Sequence, residues 1–148
     1  MSDANVLIGY VHEALPSYQP DDRTFFRRAN DTALASLPAD DAWPPLCRAM
    51  FSVTGDDSAH GSFRDRRLIH FAGHLNYIRT DIELWLPKFE VLLKRLYWLR
   101  AELFVLEAWS AGPIRISYNA STSAIESYSS LQPRPASEWQ TTRTELDV

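Results

Sequence analysis

The sequence has little cysteine and no long apolar run. Cys47 is the single cysteine among 148 residues, so a disulfide within the chain is impossible and nothing indicates an oxidising compartment. No apolar stretch approaches the roughly 20 residues that cross a bilayer. The N-terminal sequence MSDANVLIGYVHEALP lacks the basic start of a signal peptide. We therefore expect a cytoplasmic protein.

Motifs of nucleotide binding and of nucleophilic catalysis are also missing. The chain has only five glycines, and neither G-x-G-x-x-G nor the P-loop pattern occurs. No G-x-S-x-G elbow marks a serine nucleophile. Cys47 follows Pro44-Pro45-Leu46 at the entry to a predicted strand, which favours a buried structural thiol over a catalytic one. The sequence therefore predicts no catalytic residue and no cofactor.

Two histidines stand four residues apart, at His70 and His74. On one helix they would share a face, as the ligands of a zinc site do. The metalloprotease motif, however, needs Glu directly after the first histidine, where this chain has Phe71. The neighbouring apolar pattern predicts His70 in a strand and His74 at a helix start. We therefore predict no metal site, with His70 a core imidazole and His74 a residue of the first helical turn.

Charge is distributed unevenly. The net charge is −4, and residues 1–62 hold nine acidic but only four basic side chains. This balance argues against nucleic acid as the main partner. Three aspartate pairs fall in predicted loops or helix starts: Asp21-Asp22, Asp40-Asp41 and Asp56-Asp57. Aspartate is common in turns and at N-caps, but acidic loops would also steer a basic partner towards the surface.

Trp43 stands between an aspartate pair and two prolines, in the segment PADDAWPP. An aromatic residue in a rigid acidic loop is typical of an interface anchor, and the alternative is a tryptophan folded back over the core. The first interpretation gives a hypothetical partner-binding set that consists of Asp40, Asp41, Trp43, Asp56 and Asp57.

Apolar spacing predicts three helices. The first runs from Ser2 or Asp3 to about Leu15, and the second runs from Pro20 to about Leu37. The strongest pattern predicts a long amphipathic helix over residues 74–97, which Pro87 would kink or split. Its apolar positions are Leu75, Ile78, Ile82, Trp85, Phe89, Leu92 and Leu96. A capping box of Thr80 with Glu83 offers a later start near residue 80 as the alternative.

Alternating segments predict two β-hairpins. The first spans about residues 49–72, and the second joins AELFVLEAW to IRISYNA, with IRISYNA as an edge strand. The predicted fold class is α+β, with a four-stranded antiparallel sheet that packs against the long helix and the two N-terminal helices. We expect a single domain over 1–148, in which residues 121–148 form a polar, partly docked C-terminal tail.

In general character the sequence resembles the bacterial immunity proteins, small acidic antitoxins that block a toxin domain and carry no catalytic motif. The resemblance implies a non-enzymatic inhibitor that occludes a basic toxin enzyme, such as a nuclease, through its acidic loops. We expect a protein partner, no nucleic acid or membrane, and a monomer or homodimer.

Two alternatives remain open. The first is a small-molecule-binding domain or enzyme with a pocket between the sheet and the long helix. His70, Tyr77 or Glu107 would supply the polar groups of that pocket. The second is a structural subunit that dimerises through the IRISYNA edge.

Overall fold

The computed structural model describes residues 5–14, 20–54, 67–107 and 112–146. A short 3-10 turn, Arg48–Met50, precedes the second strand. The strands are β1 (Asn5–Glu13), β2 (Phe51–Thr54), β3 (Leu68–Leu75), β4 (Trp98–Leu106), β5 (Ile114–Ala120) and β6 (Trp139–Glu145). The helices are α1 (Pro20–Ala35), α2 (Ile78–Leu93) and α3 (Thr122–Ser127).

The strands form one antiparallel sheet in the order β2-β3-β1-β4-β5-β6. The four-stranded sheet predicted from the sequence is therefore wrong: the structure adds a central strand and an edge strand. Both predicted hairpins are present, as β2–β3 and β4–β5. Strand β6 pairs with the outer side of β5, so the prediction that IRISYNA is an edge strand is wrong. The alternative of a dimer through IRISYNA therefore has no open edge there.

The first predicted helix is the central strand β1. The side chains of Leu7 and Val11 are fully buried on the face that the helices cover, whereas Ile8 is exposed on the opposite side. Gly9 allows β1 to lie close to both neighbouring strands, because an added Cβ would collide with the Glu102 carbonyl oxygen and the Phe71 ring. The segment NVLIGYVHE therefore gains its burial from pairing on both sides, which outweighs local helix signals.

The long helix predicted over residues 74–97 is wrong in its extent, because α2 is shorter and holds only five of the seven predicted apolar positions. It begins at Ile78 and not at residue 74, since His74 and Leu75 still belong to β3. It continues through Pro87 as a single helix to Leu93. In the first turn, Asp81 holds the segment that leads into the helix, since its Oδ2 accepts the backbone N–H groups of Asn76 and Tyr77 at 3.0 and 2.9 Å.

The core lies between the sheet and α2. Trp85 and Phe89 stack with their ring centres 5.1 Å apart, and both contact the Phe71 ring of β3. Their side chains, together with those of Ile82 and Leu92, are at most 1% exposed. Side chains therefore fill this space in the described part of the chain, at the place where the alternative hypothesis put a ligand pocket.

The predicted polar tail contains two regular elements. Helix α3 is capped by Ser121, whose Oγ accepts the Ala124 N–H at 3.2 Å. Strand β6 adds to the sheet, and its first residue, Trp139, packs against Trp98 and Tyr118. The predicted tail therefore docks on the rest of the protein as the sixth strand of the sheet. Across the described residues, the helices are all too short or too polar to cross a membrane.

The two faces of the sheet have different environments. Helices pack on one face, and the other, called here the open face, carries only two buried side chains among the described residues, Glu102 and Ser117. Strand register places a polar row across the middle of the open face. The row consists of Ser52, His70, Tyr10, Glu102, Ser117 and Thr142.

Candidate functional site

The predicted partner-binding residues divide between one described loop and one segment outside the described residues. Asp40, Asp41 and Trp43 lie on the loop that joins α1 to β2, and all three are exposed. Asp56 and Asp57 lie outside the described residues. The structure therefore locates three of the five residues, and their role in binding stays a prediction.

Asp41 fixes the shape of this loop. Its carboxylate accepts the backbone N–H groups of Leu46 and Ala42, each at 2.9 Å, and the Lys88 ammonium at 2.8 Å. The hydrogen bond from Leu46 and then that from Lys88 lower the pKa of Asp41. Its negative charge is thus already paired with a lysine of α2, which leaves Asp40 as the unengaged member of the pair.

Trp43 is held against α2 while half of its surface stays exposed. Its indole N–H donates to Asp81 Oδ2 at 3.1 Å, and 51% of the residue is accessible. Lys88 adds two hydrogen bonds of 2.9 Å to the carbonyl oxygens of Ala42 and Pro44. The loop is therefore tied to the helix on both sides of the tryptophan, so the ring projects from a fixed position.

Helix α2, to which Trp43 is bonded through Asp81, carries other exposed apolar side chains. Leu84 and Val91 are 56% and 61% exposed, and their spacing of seven residues puts them on one side of the helix. Tyr77, the N-cap residue one heptad before Leu84, is 75% exposed. We call Trp43, Tyr77, Leu84 and Val91 the Trp43 surface. Exposed apolar side chains grouped on one side of a helix are typical of protein contact sites.

The two histidines are far apart on one strand. His70 and His74 both lie in β3 and both point to the open face, so the prediction of a core imidazole and a helical residue is wrong. Four residues of strand separate them by about 13 Å, which is too far for one metal ion. The described residues contain no group of three or more metal-ligating side chains. His70 Nε2 instead lies 2.5 Å from Thr54 Oγ1.

A buried glutamate with four hydrogen-bonding partners occupies the centre of the open face. Glu102 Oε1 accepts hydrogen bonds from Arg100 at 2.6 Å, from Arg115 Nε at 2.9 Å and from Ser117 at 3.1 Å. Arg115 Nη2 makes a further contact with the same oxygen. Tyr10 donates to Oε2 at 2.6 Å. We call Glu102 with these four partners the Glu102 cluster.

The Glu102 cluster shifts the pKa of two of its members. Burial of Glu102 raises its pKa, but hydrogen bonds from Tyr10, Arg115, Arg100 and Ser117 outweigh burial and lower it to about 2. Burial, followed by the bond to Glu102, raises the pKa of Tyr10. Sequence reasoning missed this site, although a single Glu inside the apolar segment AELFVL signals a buried partner network.

A second buried network serves the packing of α1. Asn30, fully buried, donates to Glu13 at 2.9 Å and exchanges two hydrogen bonds with the backbone of Tyr97. Arg67 lies 3.2 Å from Glu13 and also pairs with Asp31. Burial raises the pKa of Glu13. These contacts tie α1 to the ends of β1, β3 and β4 inside the molecule, which indicates a structural role.

The residues proposed for a ligand pocket do not converge. His70 lies on the open face, Tyr77 lies at the N-cap of α2, and Glu107 follows the end of β4. Cys47 is partly buried at the N-cap of the 3-10 turn. An open cleft of about 570 Å³ lies elsewhere, between Phe25 and Phe26 of α1 and residues 128–133.

Comparisons with protein-family models, curated proteins and solved structures give no match to this chain.

Proposed function

We propose that this chain is a non-enzymatic protein-binding module, an immunity-type inhibitor that occludes a cytoplasmic toxin domain with its Trp43 surface. The observation that carries the proposal is the half-exposed Trp43 indole, held at a fixed position by Asp81 and by the loop bonds of Lys88. Tryptophan is enriched among the residues that dominate binding energy at interfaces.

Rigidity of the loop supports this proposal energetically. Binding normally costs about 0.5–1.5 kcal/mol for each flexible side chain that becomes ordered. Trp43 is already ordered by its bond to Asp81, so less of the energy gained by burying the indole in a partner is lost. Leu84 and Val91 extend the same surface along α2 and would shield the contact from water.

Charge on the loop has two separate roles in this proposal. Asp40 is exposed, and would attract a basic partner and raise the rate of association. Asp41 keeps the loop in shape through Leu46, Ala42 and Lys88. The sequence alone predicts the first role for both aspartates, and their different environments allow the two roles to be tested separately.

The first test is co-expression with the product of the neighbouring gene. We expect the two proteins to purify together, and the chain to restore growth that the partner suppresses. Asp40→Asn should lower the association rate constant at low salt by about twofold and reduce its salt dependence, with little change in dissociation. Asp41→Asn should mainly raise the dissociation rate, because it loosens the loop. Equal effects of the two substitutions on both rates would contradict this division of roles.

The cleft between α1 and residues 128–133 favours small-molecule binding as a second candidate function. Its volume of about 570 Å³ lies within the usual range of ligand pockets, and Phe25 and Leu131 expose apolar surface at its rim. A fluorescent apolar dye should bind there and lose affinity in Phe25→Ser, with Leu84→Ser as the control on α2. Equal binding by both variants would exclude the cleft.

A further inference from the structure

Among the described residues, the open face carries more positive charge than its single carboxylate balances. Among the strand residues described on this face, the charged side chains are Arg100, Arg115 and Glu102. Both guanidinium groups bond to Oε1 of Glu102. Two cations against one anion leave a net charge of about +1 in the Glu102 cluster at neutral pH. The chain as a whole, by contrast, is acidic and has a net charge of −4.

Glu102 also fixes the direction of the two guanidinium groups. Glu102 itself is 6% exposed, so its position is set by the strand and by Tyr10 and Ser117. The side chains of Arg100 and Arg115 remain 46% and 37% exposed. Each guanidinium has five N–H donors, and Glu102 takes only one from Arg100 and two from Arg115. Donors therefore remain on the solvent side of a pre-oriented pair.

Neighbouring residues define what could bind above this pair. Strand register puts His12 and Asn119 on either side of Arg100. Arg115 stands in one row with Phe104 and Ile8, which is 39% exposed. Leu106 and Val6 form the next row beyond them. The arginine pair is thus bordered by an apolar strip on one side and by polar side chains on the other.

We propose that Arg100 and Arg115 form a binding site for an oxyanion, a carboxylate or phosphate group, carried on an apolar body that lies along Ile8 and Phe104. The anion would balance the excess charge of the Glu102 cluster and accept bonds from both guanidinium forks. This site uses residues apart from the Trp43 surface and does not depend on the proposed function.

Arg143 provides the matched control in the same protein. Its side chain is 43% exposed, similar to that of Arg100, but it pairs one to one with Glu83 at 2.5 Å. This pair has no excess charge, and it involves a single arginine. An attraction of anions to any exposed arginine would therefore affect Arg143 as much as the pair on the open face.

The test is a titration of the folded protein followed by the NMR signals of the arginine Nε–H groups. Phenyl phosphate and phenylacetate supply the two oxyanions on an apolar ring, inorganic phosphate and acetate lack the ring, and sodium chloride matches the ionic strength. We expect saturable shifts at Arg100 and Arg115 and none at Arg143. The ring should tighten binding by about threefold or more and shift the Ile8 methyl signals.

Variants separate the geometry of the site from its charge. Arg115→Lys keeps the charge but loses the fork, and should weaken phenyl phosphate binding by about tenfold. Arg143→Lys should leave binding unchanged. Saturation by phenyl phosphate alone would identify a phosphate ligand, and saturation by phenylacetate alone a carboxylate ligand. Shifts that are linear, or that are equal at Arg143 and Arg100, would overturn the proposal.

Discussion

Carboxylates of similar appearance in the sequence have different roles in the structure. Asp40 and Asp41 are adjacent, yet only Asp41 holds the loop through Leu46 and Lys88. Glu102 lies within the apolar strand β4, and Glu107 follows the end of that strand. The sequence pattern singles out Glu107 as a pocket residue, but Glu102 is the carboxylate that forms the buried cluster. Partners of these groups lie up to 92 residues away in the chain, so spacing along the sequence could not reveal them.

Replacement of Glu102 by Gln should destabilise the protein by an amount that depends on pH. At about pH 7 we expect a loss of about 2 kcal/mol, because two arginines lose their shared counter-charge. The folded-state pKa of about 2 lies below the ordinary 4.5. Ionised Glu102 therefore stabilises the fold fully above about pH 4.5, and this contribution is lost as the pH falls through about 2.

Urea unfolding of wild type and Glu102→Gln between about pH 7 and pH 2 measures how much ionised Glu102 stabilises the fold. The difference between their free energies of unfolding should be largest near neutral pH and shrink as the pH falls below about 4.5. Glu126→Gln, which changes an exposed carboxylate on α3, should show little difference at any pH. A difference for Glu102→Gln that stays constant down to about pH 2 would contradict the assigned role.

At the scale of elements, prediction from sequence succeeded where an apolar pattern is long and one-sided. Helix α2 repeats its buried positions over four turns, and one strand of each hairpin alternates, so the sequence predicts these elements with shifts at their ends. Strand β1 was mistaken for a helix because its strand character depends on β3 and β4, which come later in the chain. Strand β6 was missed because six of its seven residues are exposed and give no apolar alternation.

Trp139 should anchor β6 to the rest of the sheet. Its ring packs against Trp98 and Tyr118, with ring centres 5.9 and 6.1 Å away. Trp139→Ala should therefore lower the free energy of unfolding by about 2 kcal/mol and speed amide exchange in β6. Gln140→Ala changes the next, exposed residue and should stay within about 0.5 kcal/mol of wild type. Equal stability of the two variants would show that β6 is not held by this contact.

At the scale of the whole molecule, two surfaces with different character lie on opposite layers. The Trp43 surface lies on the helix layer and combines exposed apolar side chains with a braced loop. The open face of the sheet combines a polar row with an apolar strip and is locally positive around Arg100 and Arg115. The composition predicts an acidic chain without catalytic motifs, but it cannot show that these residues lie on two separate surfaces, which depends on the fold.

The central claim is that Trp43 anchors a protein partner, and isothermal titration calorimetry with the neighbouring gene product tests it most directly. Trp43→Ala should weaken binding by about 2 kcal/mol, or roughly thirtyfold in the dissociation constant. Ile125→Ala, which removes an exposed apolar side chain on α3, should change it by less than about twofold. Equal affinities of wild type and Trp43→Ala, with both proteins folded, would contradict the account.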